Sequence, residues 1–135
     1  MTIHRDLLLE KAHHAMKNAY APYSQFQVGA CILTETGEYF SGCNVENASY
    51  PLTVCAEMSA IAGMVSAGKT RIAEILIISS GDLVAPPCGA CRQRICEFAT
   101  ENTQVHLYNT AGEHQTYTLN ELLPHAFGAK NLPIS

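Results

Sequence analysis

Two short stretches of the chain carry side chains that could bind a metal ion. The first is Cys55-Ala56-Glu57, and the second is Pro87-Cys88-Gly89-Ala90-Cys91, a C-x-x-C motif preceded by proline. Cysteines three residues apart on a helix share one face, which suits two ligands of a tetrahedral zinc ion and equally suits a redox-active dithiol. Taken alone, the C-x-x-C motif leaves metal binding, redox chemistry and an inert pair of thiols open.

Cys55 favours the metal site over the other two interpretations. Like Cys88, it opens a predicted helix after a loop, and helices that begin at the same edge of a sheet bring their N-termini together. The positive end of a helix lowers the pKa of a thiol and favours the thiolate. Three thiolates gathered there bind zinc and leave a fourth position open for water, as in catalytic rather than structural sites.

Glu57 indicates where on its helix such a site must lie. Residues two apart on a helix point about 200° from each other, so Cys55 and Glu57 can face one metal only at the helix end. There Glu57 would lie beside the water held by the metal without being a ligand. Zinc lowers the pKa of that water to about 7, and a nearby carboxylate can take and return its proton.

The chain resembles the small homotetrameric cytidine deaminases over most of its length. A ligand, a glutamate two residues on and then P-C-x-x-C is the pattern of the zinc deaminases. The matching stretches are APYSQFQVGA (21–30), GCNVENASYP (42–51), CAE (55–57), PCGACRQ (87–93) and ELLPHAFG (121–128). The resemblance implies an α/β fold in which a five-stranded mixed sheet lies between helical layers, as one domain over residues 1–135.

The resemblance also implies an activity and the residues that perform it. Cytidine and 2′-deoxycytidine would be hydrolysed to uridine and 2′-deoxyuridine plus ammonia, a step of pyrimidine salvage. Cys55, Cys88 and Cys91 would ligate one zinc ion per chain. Glu57 would deprotonate the water, protonate N3 of cytosine and help ammonia to leave C4.

The substrate-binding residues that the resemblance implies are Phe26, Asn44, Glu46, Ala56, Tyr50 and Phe127. Phe26 would pack on the pyrimidine ring, and the Ala56 backbone would contact the amide edge of the base. Asn44 and Glu46 would hydrogen-bond the ribose hydroxyls. Phe127 would reach the active site of a neighbouring subunit, with Tyr50 near that interface, so the implied assembly is a homotetramer with shared sites.

Met58 departs from the family pattern, in which arginine often follows the glutamate. Zinc with three thiolates carries a net negative charge, and a more negative metal centre is a poorer Lewis acid. Helix dipoles offset only part of that charge. We therefore expect the guanidinium group of Arg92 or Arg94 to lie within hydrogen-bond reach of a ligand sulfur.

Composition narrows the function classes. The net charge is −4, and the eight lysines and arginines are scattered, which argues against a polynucleotide substrate and for a small molecule. The N-terminus carries Asp6 and Glu10 among its leucines, unlike a secretory signal, and no apolar run is long enough to cross a membrane. These features predict a cytoplasmic protein with reduced cysteines, of which Cys31, Cys43 and Cys96 are inert buried thiols. The six histidines are predicted to be ordinary surface or half-buried residues.

Hydrophobic periodicity predicts a mixed sheet covered by helices, in the order α-β-β-α-β-α-β-β. The predicted helices cover 3–19, 55–67 and 88–99, with a short helical piece at 121–127 that Pro124 interrupts. The predicted strands cover 28–34, 38–43, 72–79, 104–108 and 114–119.

Three other functions remain open from the sequence. A deaminase of another cytosine nucleoside, of the blasticidin S type, also has an aliphatic residue after C-A-E, but it should lack the pair in NVEN (44–47). A structural zinc module that binds a partner predicts a fourth protein ligand and no need for Glu57. An editor of polynucleotides is disfavoured by the charge.

Overall fold

The computed structural model describes residues 3–133, and four residues of the predicted 1–135 domain lie outside it. The helices are α1 (Ile3–Lys17), α2 (Ala56–Ser66), α3 (Gly89–Phe98) and α4 (Leu119–Leu122), with single 3₁₀ turns at Tyr50–Leu52 and Ala129–Asn131. The strands are β1 (Val28–Thr34), β2 (Tyr39–Cys43), β3 (Ile72–Ser79), β4 (Ala99–Asn109) and β5 (His114–Thr118). The element order agrees with the sequence prediction.

The five strands form one mixed sheet in the order β2-β1-β3-β4-β5. The central pair, β3 and β4, runs parallel, and the other three pairs are antiparallel. A parallel pair needs a crossover connection, which α3 supplies between β3 and β4. The predicted five-stranded mixed sheet between helices is therefore confirmed.

Strand β3 carries apolar side chains on both faces, with Glu74 as an exception, because helices cover both sides of the sheet. Leu76 and Ile78 pack in a cluster with the buried residues of α1. Ile75 and Ile77 point the other way, into the larger cluster with α2, α3 and α4. The sheet thus lies in the middle of three layers, and the α2–α3 face is the one on which the cysteine motifs lie.

His106 differs from the prediction that all histidines are exposed or half-buried. It lies on β4 with no exposed side-chain surface, and its Nε2 is 2.7 Å from Oε1 of Glu74. Its Nδ1 lies 2.8 Å from the hydroxyl of Thr116. A buried imidazole is tolerated here because both of its ring nitrogens have partners.

Gly29 on β1 allows α1 to approach the sheet closely. A methyl group on Gly29 would lie 2.0 Å from the carbonyl oxygen of Ala12 and 2.7 Å from the amide nitrogen of Met16, so backbone would have to move. We expect Gly29→Ala to lower the free energy of unfolding by about 3 kcal/mol. Urea denaturation measures this change.

Gly63 in α2 provides the matched control for Gly29→Ala. A methyl group on Gly63 would meet no atom within 4 Å. Alanine is favoured over glycine inside a helix by about 0.5–1 kcal/mol, so Gly63→Ala should raise the free energy of unfolding. Equal urea midpoints for the two variants would contradict the close contact between α1 and β1.

Candidate active site

A cavity of about 300 Å³ opens at the carboxyl end of β3, between the N-termini of α2 and α3. In open α/β sheets, ligands bind beyond the carboxyl ends of the strands. Seven of the ten predicted site residues line this cavity: Phe26, Asn44, Cys55, Ala56, Glu57, Cys88 and Cys91. The structure therefore gathers both sequence motifs into one place.

Cys55 is the N-cap of α2, and its sulfur is a hydrogen-bond acceptor. The backbone N–H of Met58 donates to Sγ of Cys55 at 3.4 Å, and the thiol of Cys91 donates to it at 2.8 Å. The hydrogen bond from Cys91, with that from Met58, lowers the pKa of Cys55 to about 6 even though burial opposes the shift. Donating that bond, together with burial, raises the pKa of Cys91. Cys55 is therefore the thiolate of the pair.

Glu57 lies in the first turn of α2 with 5% of its surface exposed. The ligand atoms of Cys55, Glu57 and Cys91 all lie within 4.8 Å of one another. Burial, and next the negative charge of Cys55, raise the pKa of Glu57 to about 7. A carboxyl group with this pKa can hold or release a proton near neutral pH, as general acid–base catalysis requires.

Cys88 lies at the rim of the same cavity. It is exposed at the N-cap of α3 and makes no side-chain capping hydrogen bond. Among residues 3–133 it does not belong to the group whose ligand atoms lie within 4.8 Å of one another. The half-buried sulfur of Cys55, the buried sulfur of Cys91, a third sulfur at the rim and a carboxyl group still form a donor set that zinc accepts, because zinc prefers thiolate and also binds carboxylate.

One of the two candidate arginines reaches a cysteine sulfur. Nη1 of Arg94 donates to Sγ of Cys55 at 3.5 Å, although Arg94 is an exposed residue of α3. Arg92 instead donates from Nε to the carbonyl of Pro87 at 2.8 Å and from Nη1 to the carbonyl of Leu122 at 2.7 Å. The expected contact of Arg92 or Arg94 with a cysteine sulfur is therefore confirmed, and Arg94 makes it, whereas Arg92 ties α4 to the loop before α3.

Asn44 and Glu46 do not share the cavity as a pair. Asn44 lines it, and its side chain bonds backbone: Nδ2 donates to the carbonyl of Phe26 at 2.8 Å, and Oδ1 accepts from the N–H of Val28 at 2.9 Å. Glu46 lines an adjoining cavity of about 420 Å³, and Thr53 lies on the wall of both cavities. The two residues therefore lie in neighbouring compartments.

The carboxylate of Glu46 is held by the loop that precedes β1. It accepts hydrogen bonds from the backbone N–H of Tyr23 at 2.9 Å and of Ser24 at 3.1 Å, and from the hydroxyl of Ser24. The hydroxyl bond is the main cause of the lowered pKa of Glu46. Glu46 is therefore ionised at neutral pH and fixed in position.

The two predicted interface aromatics lie outside the cavity of Glu57. Tyr50 is 72% exposed and lines the cavity of Glu46, and Phe127 is 58% exposed in a separate groove near α4. The carbonyl of Phe127 accepts a hydrogen bond from Nε2 of Gln93 at 2.8 Å. Within one chain, these rings take no part in the Cys55 site.

Ser79 is a cavity residue that the sequence reasoning did not single out. It ends β3, is 2% exposed and lines the same cavity as Glu57. The signal that could have identified it is a polar residue directly after the apolar run 75–78.

Known proteins are similar to this chain in both sequence and fold. The family model "Cytidine and deoxycytidylate deaminase zinc-binding region" matches residues 2–107. A cytidine deaminase of Halalkalibacterium halodurans is 43% identical over 95% of this chain and 97% of its own length. One of Mycoplasma pneumoniae is 41% identical, with 94% and 96% covered.

Solved structures agree with these relatives. The cytidine deaminase of Burkholderia pseudomallei superposes with a TM-score of 0.87 at 43% identity, covering 94% of this chain and all of that one. The cytidine deaminase of Mycobacterium tuberculosis superposes with a TM-score of 0.81 at 36% identity, covering 94% and 99%. Among the residues described, no helix is both long and apolar enough to span a membrane. The chain belongs to the cytidine and deoxycytidylate deaminase family and carries its zinc-binding region.

Proposed function

We propose that this protein is a zinc-dependent cytidine deaminase that converts cytidine and 2′-deoxycytidine to uridine and 2′-deoxyuridine, with release of ammonia. The main observation in support is that the buried carboxyl group of Glu57 lies next to the thiolate of Cys55 and the thiol of Cys91 in one cavity. The role is a hydrolytic step of pyrimidine salvage. Residues 1–135 act as one domain, and the six free cysteines fit a reducing compartment such as the cytoplasm.

Cys55, Cys88 and Cys91 hold the zinc ion in this proposal. When bound, zinc acts as a Lewis acid that lowers the pKa of a coordinated water to about 7. Cys55 supplies a thiolate that the N-terminus of α2 already stabilises. Cys88 is free to turn toward the other two sulfurs because its side chain has no capping bond to break.

Glu57 moves the protons of the reaction. Its carboxylate takes a proton from water and delivers it to N3 of the pyrimidine, which makes C4 electrophilic, and the oxygen of that water then forms a bond to C4. It then transfers the second proton of the water to the amino group, which leaves C4 as ammonia. Cytidine plus water thus gives uridine plus ammonia, and Glu57 ends as it began. A pKa near 7 suits a group that must both accept and donate.

The cavity walls position the nucleoside. The ring of Phe26 packs on the base, and the backbone at Ala56 faces its amide edge. Asn44 keeps one donor and one acceptor site beyond its two backbone bonds, which is enough for a ribose hydroxyl. Glu46 contacts the ribose from the adjoining compartment, which meets the base cavity at Thr53.

A homotetramer with shared active sites completes this proposal. Tyr50 and Phe127 are large aromatic side chains with most of their surface exposed. Aromatic residues are enriched at protein interfaces. A neighbouring subunit that covers these rings would bring them to the mouth of another chain's cavity.

Ultraviolet monitoring of cytidine and 2′-deoxycytidine with the purified protein tests the function. We expect loss of substrate, formation of one ammonia per uridine, and one zinc per chain by elemental analysis. Zinc at one per chain without reaction of either nucleoside would reject the proposal. Activity only on a blasticidin S-type nucleoside would support the alternative that Met58 suggests, and no activity on any nucleoside would support a structural zinc module.

Arg94 is expected to strengthen zinc binding through Cys55. The guanidinium group lies 3.5 Å from the Cys55 sulfur and offsets its negative charge. Loss of a residue that contacts a metal ligand without binding the metal itself lowers metal affinity about tenfold or more. Arg94→Gln should therefore weaken zinc affinity about tenfold in competition with a chromogenic chelator, and added salt should reduce the difference because Arg94 is exposed.

Arg92→Gln is the matched control for Arg94→Gln. Its hydrogen bonds go to the carbonyls of Pro87 and Leu122, so we expect lower thermal stability with unchanged zinc affinity. Zinc affinity in Arg94→Gln equal to that of the wild-type protein would show that the contact with Cys55 has no electrostatic role.

A further inference from the structure

Ser79 is a buried polar side chain at the end of β3 that faces the proposed catalytic cavity. Only 2% of its surface is exposed, and it lines the cavity together with Phe26, Val28 and Glu57. Strands place alternate side chains on opposite faces of a sheet. Ser79 is therefore on the same face as Ile77, which also lines the cavity, and opposite to Ile78, which packs toward α1.

The hydroxyl of Ser79 has no hydrogen-bond partner among residues 3–133. Its neighbours do have partners. Oγ of Ser80 accepts from the N–H of Gln27 at 3.0 Å, and Nδ2 of Asn109, which pairs with Ser79 across the sheet, donates to Asp82 and Glu113. Buried polar groups in folded proteins are normally hydrogen-bonded, and a buried hydroxyl without a partner is costly. This one faces a space large enough for a ligand.

The other polar groups on the cavity wall already have roles. Asn44 bonds backbone on both sides of its amide, Glu57 transfers protons, and the cysteines bind metal in the proposed function. Thr53 accepts a hydrogen bond at its hydroxyl from the N–H of Asn47. Ser79 differs from these residues because the buried hydroxyl makes no hydrogen bond at all within residues 3–133. A pyrimidine ring carries carbonyl and ring-nitrogen acceptors on its edge, which match a hydroxyl donor.

We infer that Ser79 is a specificity-determining residue whose hydroxyl donates a hydrogen bond to an acceptor on the edge of the bound pyrimidine. This inference rests on the proposed function. A site with a buried donor rejects rings that lack the matching acceptor, because binding such a ring leaves the donor unpaired. Ser79 thus contributes to recognition of the ring and takes no part in moving protons.

Ser79→Ala tests the inference by removing one oxygen atom. The free protein should keep or raise its melting temperature, because the hydroxyl has no partner to lose. The dissociation constant for uridine, measured by calorimetry, and KM for cytidine should each rise about tenfold, with kcat within about threefold. A residue that only maintained the fold would instead lower the melting temperature.

Ser80→Ala is the matched control, since it removes an exposed hydroxyl one residue along the chain. It should leave the affinity for uridine unchanged, and Ser79→Gly serves as a second variant without the hydroxyl. The wild-type protein could turn over cytidine while Ser79→Ala and Ser79→Gly both bind uridine with an affinity within twofold of the wild-type value. In that case the inference is overturned and the proposed function stands. If wild-type protein neither turns over cytidine nor binds uridine, both are overturned.

Discussion

Glu57→Gln should retain zinc and lose deaminase activity by about 10²–10⁴-fold, the usual contribution of a positioned acid or base. Glutamine matches glutamate in shape but carries no transferable proton, so water is not deprotonated and N3 is not protonated. The substitution should fold, because the carboxyl group is buried and its pKa of about 7 already favours the neutral form below that pH. Ultraviolet assays give the rate, and elemental analysis gives the zinc content.

Glu97→Gln, a change at an exposed position of α3, controls for the loss of one negative charge. It should retain wild-type activity. Full activity in Glu57→Gln would end the proton-transfer assignment. If Glu57→Gln loses zinc and activity together, Glu57 is a zinc ligand. This is an alternative because the ligand atoms of Glu57, Cys55 and Cys91 lie within 4.8 Å of one another.

The sequence predicted where the two cysteine motifs lie on their helices because local rules determine these positions. Strands 28–34 and 72–79 match β1 and β3, since an apolar run of that length suits a buried strand. The two-residue offset between Cys55 and Glu57 requires a site at a helix end, and Cys55 is indeed the N-cap of α2. Where side-chain geometry on one element decides the outcome, the sequence is sufficient.

The start of β4 was not predictable from local pattern. The prediction began the strand at 104, whereas it begins at Ala99, directly after α3. The polar stretch that follows Ala99 reads as a loop, and its pairing with β3 includes a register shift between Ile72 and Glu74. Thr103 stabilises this irregular start by donating a hydrogen bond from its hydroxyl to the carbonyl of Ile72, 31 residues away. Only the folded chain supplies that partner.

The separation of Asn44 from Glu46 has a similar cause. Val45 lies between them and forms isolated β-bridges with Tyr20 and Val54, and the Asn44 side chain bonds to the backbone of Phe26 and Val28. Glu46 then bonds to a loop 22 residues earlier in the chain. The sequence identifies both residues as polar and close together, but the direction of each side chain depends on these distant contacts.

Cys91→Ala should abolish stable zinc binding, with zinc affinity reduced by more than about 100-fold. Loss of a residue that only contacts a ligand lowers metal affinity about 10–100-fold, and loss of a ligand itself should lower it further. Cys91 is buried and donates its thiol to Cys55 at 2.8 Å, so its removal takes away the neighbour that faces the thiolate. Activity should fall with zinc content. Chelator competition and elemental analysis measure the loss.

Cys96→Ala is the matched control on the same helix, because Cys96 is half-buried against the core and is not one of the side chains that line the cavity. It should retain zinc and activity, with at most a small loss of stability.

Cys88→Ala then identifies the third ligand. If Cys88 holds zinc, its loss should match that of Cys91→Ala. If zinc stays bound in Cys88→Ala but not in Glu57→Gln, the buried carboxylate completes the site and the rim cysteine does not. Zinc retained at one per chain in Cys91→Ala would contradict the whole arrangement.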